Sequence, residues 1–210
     1  MTTIAIVSPW HNHLELADDY FEAVLPEMEP GDQNIIIDDF SQPPLPFATA
    51  RPARQLGFSG GCNLGLNLAT TDAVLFLNND VELAQRGWLE KIRQALEPDV
   101  LVGPIRWDMH ADVDGHKMPY IDGWCLAGMR HDLLVLGGFD ATLAEPAYYS
   151  DNLICLEARA EGMTLREVRP GLRHIENVTA GRASIPQVRE ASAANRDRYL
   201  ARARELLVAA

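Results

Sequence analysis

The stretch AVLFLNND, Ala73 to Asp80, decides how the fold is read. Five apolar residues run without a break into two amides and a carboxylate. A short, continuously apolar run is what a strand buried on both faces requires, and such strands belong to parallel sheets covered by helices. Asn and Asp at its tip are ordinary turn formers. They also stand where ligands bind in open α/β sheets, beyond the carboxyl ends of the strands.

Outward from this stretch the pattern recurs. IAIV (Ile4 to Val7) is a first strand, broken at Ser8-Pro9. In NHLELADDYFEAVLPEM, Leu14, Ala17, Phe21, Val24 and Leu25 fall at helical spacing, and Asn12 with Glu15 reads as a capping box. NIIIDD (Asn34 to Asp39) is a second strand that again ends in carboxylates, Asp38 and Asp39. A Pro-rich loop follows, then the Gly-rich QLGFSGGCNLGLN. Its glycines would let the backbone pass close to a ligand before a short helix over Asn63 to Ala69, with Asn63 capping or orienting that helix. GWLEKIRQAL predicts a helix, and VLVGPI (Val100 to Ile105) a fourth strand. The alternation argues for an α/β fold with a mainly parallel central sheet flanked by helices.

The second half reads differently. WDMHADVDGHKMPY is a polar, mobile loop, with His110 and His116 as lid candidates. IDGWCLAGM is strand-like, and HDLLVLGGF a short helix closed by Gly137-Gly138. DNLICLEARAEG is a helix ended by Gly162, TLREV a strand, and the Arg- and Ala-rich tail one or two helices solvated on one side. The expectation is one domain over residues 1–210. It comprises a nucleotide-binding half (1–105), an acceptor-side catalytic half (106–180) and a helical tail (181–210).

The bulk numbers narrow the function. The net charge of −12 repels phosphate backbones, so general nucleic-acid binding is disfavoured. An anionic substrate would need local neutralisation, for which a divalent metal is the natural means. Cys62, Cys125 and Cys155 are far apart and form no Cys-x-x-Cys pair, so they read as buried hydrophobes rather than a zinc site or disulfide framework. No basic leader precedes the first strand, and no run approaches the roughly 18 apolar residues of a membrane span. A cytoplasmic protein without a transmembrane segment is expected. His11 and His13, at i and i+2, share no helical face and read as loop or surface.

Taken in order, IVSPW, IIIDDFS, LGFSGGCNLGL, LFLNNDVEL…GWLEKI, GWCLAGMRHDLLVLGGFDATL and YYSDNLICLEARAEGM resemble glycosyltransferase family 2, from about Ile4 to Thr179. These are nucleotide-sugar-dependent enzymes with the GT-A fold. The resemblance implies donor nucleotide binding by Ser8, Pro9, Asp38 and Asp39, with Asp38 accepting from the base, uracil in the first instance. It extends that role to Gly57, Phe58, Asn63, Asn78 and Asn79. The family's Asp-x-Asp motif matches Asn78-Asn79-Asp80. Asp80 would hold Mn²⁺ or Mg²⁺ bridging the donor diphosphate, with His174 completing the shell. The family's acidic pair matches Ser150 and Asp151, which makes Asp151 the catalytic base. Asp122, Trp124 and Ser150 would face the acceptor, beside Tyr120.

The resemblance thus implies inverting, metal-dependent, non-processive transfer of a sugar from a UDP-linked donor to a hydroxyl acceptor. The Gln-x-x-Arg-Trp motif of the processive synthases is not present. A glycan, a lipid-linked sugar, a small molecule and a modified DNA base remain open as acceptors, and a homodimer through the tail is left open. Two alternatives stand beside this. A degenerate nucleotide-sugar binder without turnover would suit Asn78 and Ser150, which replace commoner carboxylates. A nucleotidyltransferase should carry a Gly-rich loop with a basic residue after the first strand, and SPWHNH has none.

Overall fold

The computed structural model describes residues 1–145, 148–175 and 185–209. The end of the resemblance at Thr179 and the first residues of the expected tail, 181–184, lie outside the described residues. In chain order the elements are β1 (Ile4–Trp10), α1 (Ala17–Val24), β2 (Gln33–Asp38), α2 (Gly57–Leu68), β3 (Ala73–Leu77), β4 (Val81–Leu83), α3 (Trp88–Ala95) and β5 (Val100–Gly103). Then come β6 (Ile105–Arg106), β7 (Tyr120–Ile121), β8 (Cys125–Met129), α4 (Arg130–Val135), α5 (Ser150–Ala160), β9 (Thr164–Glu167), β10 (Leu172–His174) and α6 (Ile185–Ala209).

The main sheet has the order β2-β1-β3-β8-β5-β9. All its pairings are parallel except those of β8, which runs against both β3 and β5. Strand alternation builds two cores. Ile4, Ile6, Leu75 and Leu77 face one way with Trp10, Tyr20 and Trp88, while Ala5, Val7, Val74 and Phe76 face the other with Cys62, Leu66 and Phe139. Helices cover both faces, which is why these strands read as unbroken apolar runs. β1 lies between β2 and β3, so the chain leaves it in opposite directions, and the crevice beyond its carboxyl end is a topological switch point.

Several expectations are corrected. β1 does not break at Ser8-Pro9; it continues to Trp10, and Pro9 sits in register with Ile37. No capping box forms at Asn12. His13 holds the cap position with φ 60° and no side-chain cap, Asn12 instead accepts from Gln42 N, and Glu15 pairs with His13. His13 is therefore buried rather than on the surface. The helix expected over Asn63 to Ala69 begins six residues earlier, at Gly57. Tertiary packing overrides the poor helix propensity of its glycines. A Cβ on Gly65 would lie 2.1 Å from Val7 Cγ1, and one on Gly61 2.9 Å from Pro9 Cβ, so these glycines let α2 lie directly on β1. The fourth strand is interrupted after Gly103. The polar loop 107–119 is structured: Asp108 caps a 3-10 turn at Met109–Ala111, and Val113 bridges His116. Gly137, Gly138 and Gly162 take the left-handed conformations expected of helix ends, and all three cysteines are buried.

Candidate active site

The tip of β3 supplies the first half of the site. Asn79 and Asp80 are buried at the turn into β4. β10 runs antiparallel to β4 with His174 opposite Val81, and Ile175 N donates to Asp80 O at 2.8 Å. This ladder brings His174, 94 positions away in sequence, to the turn. His174 Nε2 lies 3.1 Å from Asp80 Oδ1 and 3.2 Å from Asn78 Nδ2. Asp80 Oδ1 is buried and has no hydrogen bond of good geometry. A buried carboxylate oxygen without a donor is costly, and a cation relieves that cost. A carboxylate is a suitable donor to Mn²⁺ or Mg²⁺, and an imidazole beside it suits Mn²⁺ better than the harder Mg²⁺. Among the described residues no group of three or more His, Cys, Asp or Glu is placed to hold a metal ion.

The second half is Asp151, in the first turn of α5. Its Oδ2 accepts from Gly123 N at 3.1 Å and its Oδ1 from Asn152 N at 2.9 Å. Burial raises its carboxyl, the nearby Asp122 charge raises it further, and the amide donors only partly offset this, so it is pushed up to about 6. Asp122 is held by Arg106 Nε at 3.0 Å. A Cβ on Gly123 would sit 3.1 Å from Asp151 Cβ, so a glycine here lets the turn between β7 and β8 approach the carboxylate.

Residues 122–124 join the two halves. Gly123 binds Asp151, while Trp124 stacks on His174 with centroids 5.1 Å apart and planes 10° apart. Trp124 O also accepts from Asn78 N at 2.9 Å. One ring face of Trp124 is thus committed to His174, which makes it a wall of the Asp80–His174 pair. Ser150 opens α5 beside Asp151 and is half-buried.

The donor-side residues fare unevenly. Ser8 is fully buried and its Oγ accepts from Trp10 Nε1 at 3.1 Å, so the hydroxyl faces the core. Asp38 is fully buried too. It accepts from Ser41 N and Leu45 N and pairs with Arg51, which leaves no surface for a base. These bonds hold its carboxyl below the usual range despite burial. Asp38 shapes the loop that lines a cleft of about 440 Å³ between Asn12–Glu15 and Gln42–Leu45. Asp39 accepts from Leu56 N at 2.6 Å and Gly57 N at 2.9 Å, so it seats the start of α2, and burial raises its carboxyl. Gly57 (φ 71°) backs onto Glu145, whose carboxyl accepts from Phe58 N. Phe58 packs edge-on against Phe139 at 5.3 Å. Asn63 is mid-helix, and its amide is committed to the Phe139 backbone, donating to O at 2.7 Å and accepting from N at 2.9 Å. It orients the loop at Phe139. Pro9 packs on Gly61 at the β1 tip. Sequence reading missed Glu145 and Arg51, since neither lies in a recognisable motif.

Comparisons with known proteins bear on the family and the fold. The sequence profile described as Glycosyl transferase family 2 matches residues 5–122, more than half of the chain. No curated protein sequence matches. Among solved structures, the mannosyltransferase PcManGT from Pyrobaculum calidifontis, in complex with GDP-Man and Mn²⁺, superposes with a TM-score of 0.64 at 15% identity, over 98% of this chain and 74% of that one. GalNAc-T7 with UDP, GalNAc and Mn²⁺ gives a TM-score of 0.74 at 14% identity, over 96% of this chain and 48% of that one. S. aureus TarS gives 0.56 at 12% identity, over 81% and 36% respectively. The chain therefore spans about half or less of the length of the latter two. No helix among the described residues is long and apolar enough to cross a membrane. The chain belongs to glycosyl transferase family 2 and is a glycosyltransferase with the GT-A fold.

Proposed function

We propose that this glycosyltransferase moves a sugar, with inversion, from a nucleotide-sugar to a hydroxyl acceptor in a single transfer, and that it requires a divalent metal. The observation that carries the reading is the 122–124 bridge, which sets Asp151 and the Asp80–His174 pair on the two sides of one short segment. Asp80 and His174 would hold Mn²⁺ or Mg²⁺, which supplies charge to stabilise the departing diphosphate. The neighbours solved with Mn²⁺ support this, as does the unsatisfied Asp80 oxygen. UDP-linked sugars are the first donors to test, since one neighbour was solved with UDP, and GDP-linked sugars the next, since another was solved with GDP-Man.

Asp151 takes the proton from the acceptor hydroxyl as that oxygen attacks the anomeric carbon from the face opposite the nucleotide. Its raised carboxyl suits the role, because a base with proton affinity near working pH accepts more readily. The Gly123 and Asn152 amides keep it oriented. Residues 1–105 serve the donor and residues 106–180 the acceptor, with Asp39, Gly57 and Asn79 lining the donor edge.

The test is hydrolysis of UDP, GDP and dTDP sugars with Mn²⁺, followed by ¹H NMR of the sugar first released. An α-linked donor should yield the β-sugar, and Asp151→Asn should lose turnover while still binding donor. Retention of configuration, or full activity in Asp151→Asn, would refute the assignment.

A further inference from the structure

The arginine-rich tail forms one helix, α6, and this helix packs against its own chain. Arg202 holds both Glu157 oxygens on α5, at 2.7 and 2.8 Å. Arg204 holds both Asp114 oxygens in the acceptor-side segment, at 3.0 and 3.1 Å. Asn195 brackets Ala144, accepting from its N at 2.7 Å and donating to its O at 2.9 Å. Beneath these lies a separate apolar cluster of Val113, Tyr149, Leu153, Leu156, Tyr199 and Ala203, drawn from the acceptor-side segment, α5 and α6.

Tyr199 sits at its centre and is 2% exposed. Its hydroxyl donates to Ala111 O at 2.9 Å, and its ring lies 5.6 Å from that of Tyr149. Tyr149 precedes α5 with φ 77°, a left-handed conformation that a non-glycine residue keeps only where packing enforces it. Asp108 caps the turn that holds Ala111 and accepts from Tyr120 OH at 2.8 Å. Three residues beyond Tyr120, Gly123 donates to Asp151. Contacts thus run from Tyr199 through Ala111 and Asp108 to Tyr120, three residues before Gly123, and from Tyr199 to Tyr149, two residues before Asp151.

We propose that α6 sets the position of Asp151, with Tyr199 as the positioning residue. Tyr199 acts from both sides of the carboxylate, through Tyr149 at the start of α5 and through the Asp108-capped turn that holds Tyr120 ahead of Gly123. Close-packed interiors pass such displacements on rather than absorbing them. The inference rests on the reading of Asp151 as the base. The groups facing Asp151 are the Asp122 carboxylate, the Tyr120 phenol and the Cys155 thiol, with Asp108 bound to Tyr120 and Arg159 near Cys155.

The test uses the full chain with Tyr199→Leu and Tyr199→Phe. The readouts are UDP-sugar hydrolysis, UDP binding with Mn²⁺ by calorimetry, and ¹³C-carboxyl NMR titration of Asp151, assigned with Asp151→Asn. Tyr199→Leu should lower kcat by about 10–100-fold with the UDP Kd within about twofold, the penalty of a base misplaced by about 1 Å. The Asp151 midpoint should fall from about 6 toward the ordinary 3.8 as water reaches it. Tyr199→Phe, which keeps the ring, should restore kcat to within about threefold of wild type. A folded Tyr199→Leu with wild-type kcat and an unmoved Asp151 midpoint would overturn the proposal. If wild type hydrolyses no donor, the functional reading fails, and the NMR midpoint alone decides the positioning claim. Should Tyr199→Leu not fold, Arg202→Gln with Arg204→Gln releases the exposed side of the same helix and is judged by the same readouts.

Discussion

Replacing Asp151 by Asn should cost activity and add stability, and the two effects separate with pH. Asp151 titrates at about 6 in the folded chain against an ordinary 3.8. Below pH 3.8 the carboxyl is protonated in both states and nothing is lost. As pH rises through about 6 the unfolded chain ionises more readily than the folded one, so stability falls and then levels off. At about 1.4 kcal/mol per pH unit the full effect is about 3 kcal/mol, or about 2 kcal/mol allowing for partial solvent screening. The amide keeps one acceptor oxygen but leaves one backbone N–H without its partner, an offset of about 1 kcal/mol. Asp151→Asn should therefore be more stable than wild type by about 1–2 kcal/mol above pH 7, or about 2–8 °C in Tm for a chain of this size. The gap should close or reverse near pH 4. Turnover should fall by about 10²–10⁴-fold. Thermal unfolding of both proteins from pH 4 to 8 is the assay. An Asp151→Asn variant less stable than wild type by the same margin at every pH would refute the claim that the fold strains this carboxylate.

Other substitutions separate packing from chemistry. Asn63→Ala leaves the buried Phe139 N–H and C=O unpaired and should cost about 2–4 kcal/mol in urea unfolding, with UDP affinity within about threefold of wild type. Gly65→Ala drives a methyl into Val7 and should cost about 1–3 kcal/mol by the same assay. Gly123→Ala crowds Asp151 and should lower kcat about tenfold while leaving UDP binding with Mn²⁺ within about twofold, measured by steady-state kinetics and calorimetry.

What could be read from the sequence was whatever local pattern dictates. The apolar runs at Ile4, Asn34 and Ala73 became strands, and their polar tips gathered at one sheet edge. What could not be read depends on partners distant in sequence. Asp38 and Asp39 are adjacent and chemically alike, yet Asp38 is drawn inward by Arg51 and Asp39 seats α2. The reversed direction of β8 arises from its pairing with β3 and β5, which no run of residues announces. The glycines of GFSGGCNLG look like a loop by propensity, and the close approach of α2 to β1 at Gly61 and Gly65 explains a helix there. His174 was marked as a candidate ligand, but its meeting with Asp80 required the β4–β10 ladder.

The most direct measurement is release of nucleoside diphosphate from a panel of nucleotide-sugars, with Mn²⁺ and with EDTA, for wild type and Asp80→Ala. The account predicts release from one donor class by wild type in Mn²⁺, stopped by EDTA and by Asp80→Ala alike. Release that persists in EDTA or in Asp80→Ala, or no release and no Mn²⁺-dependent binding of any donor, would contradict it.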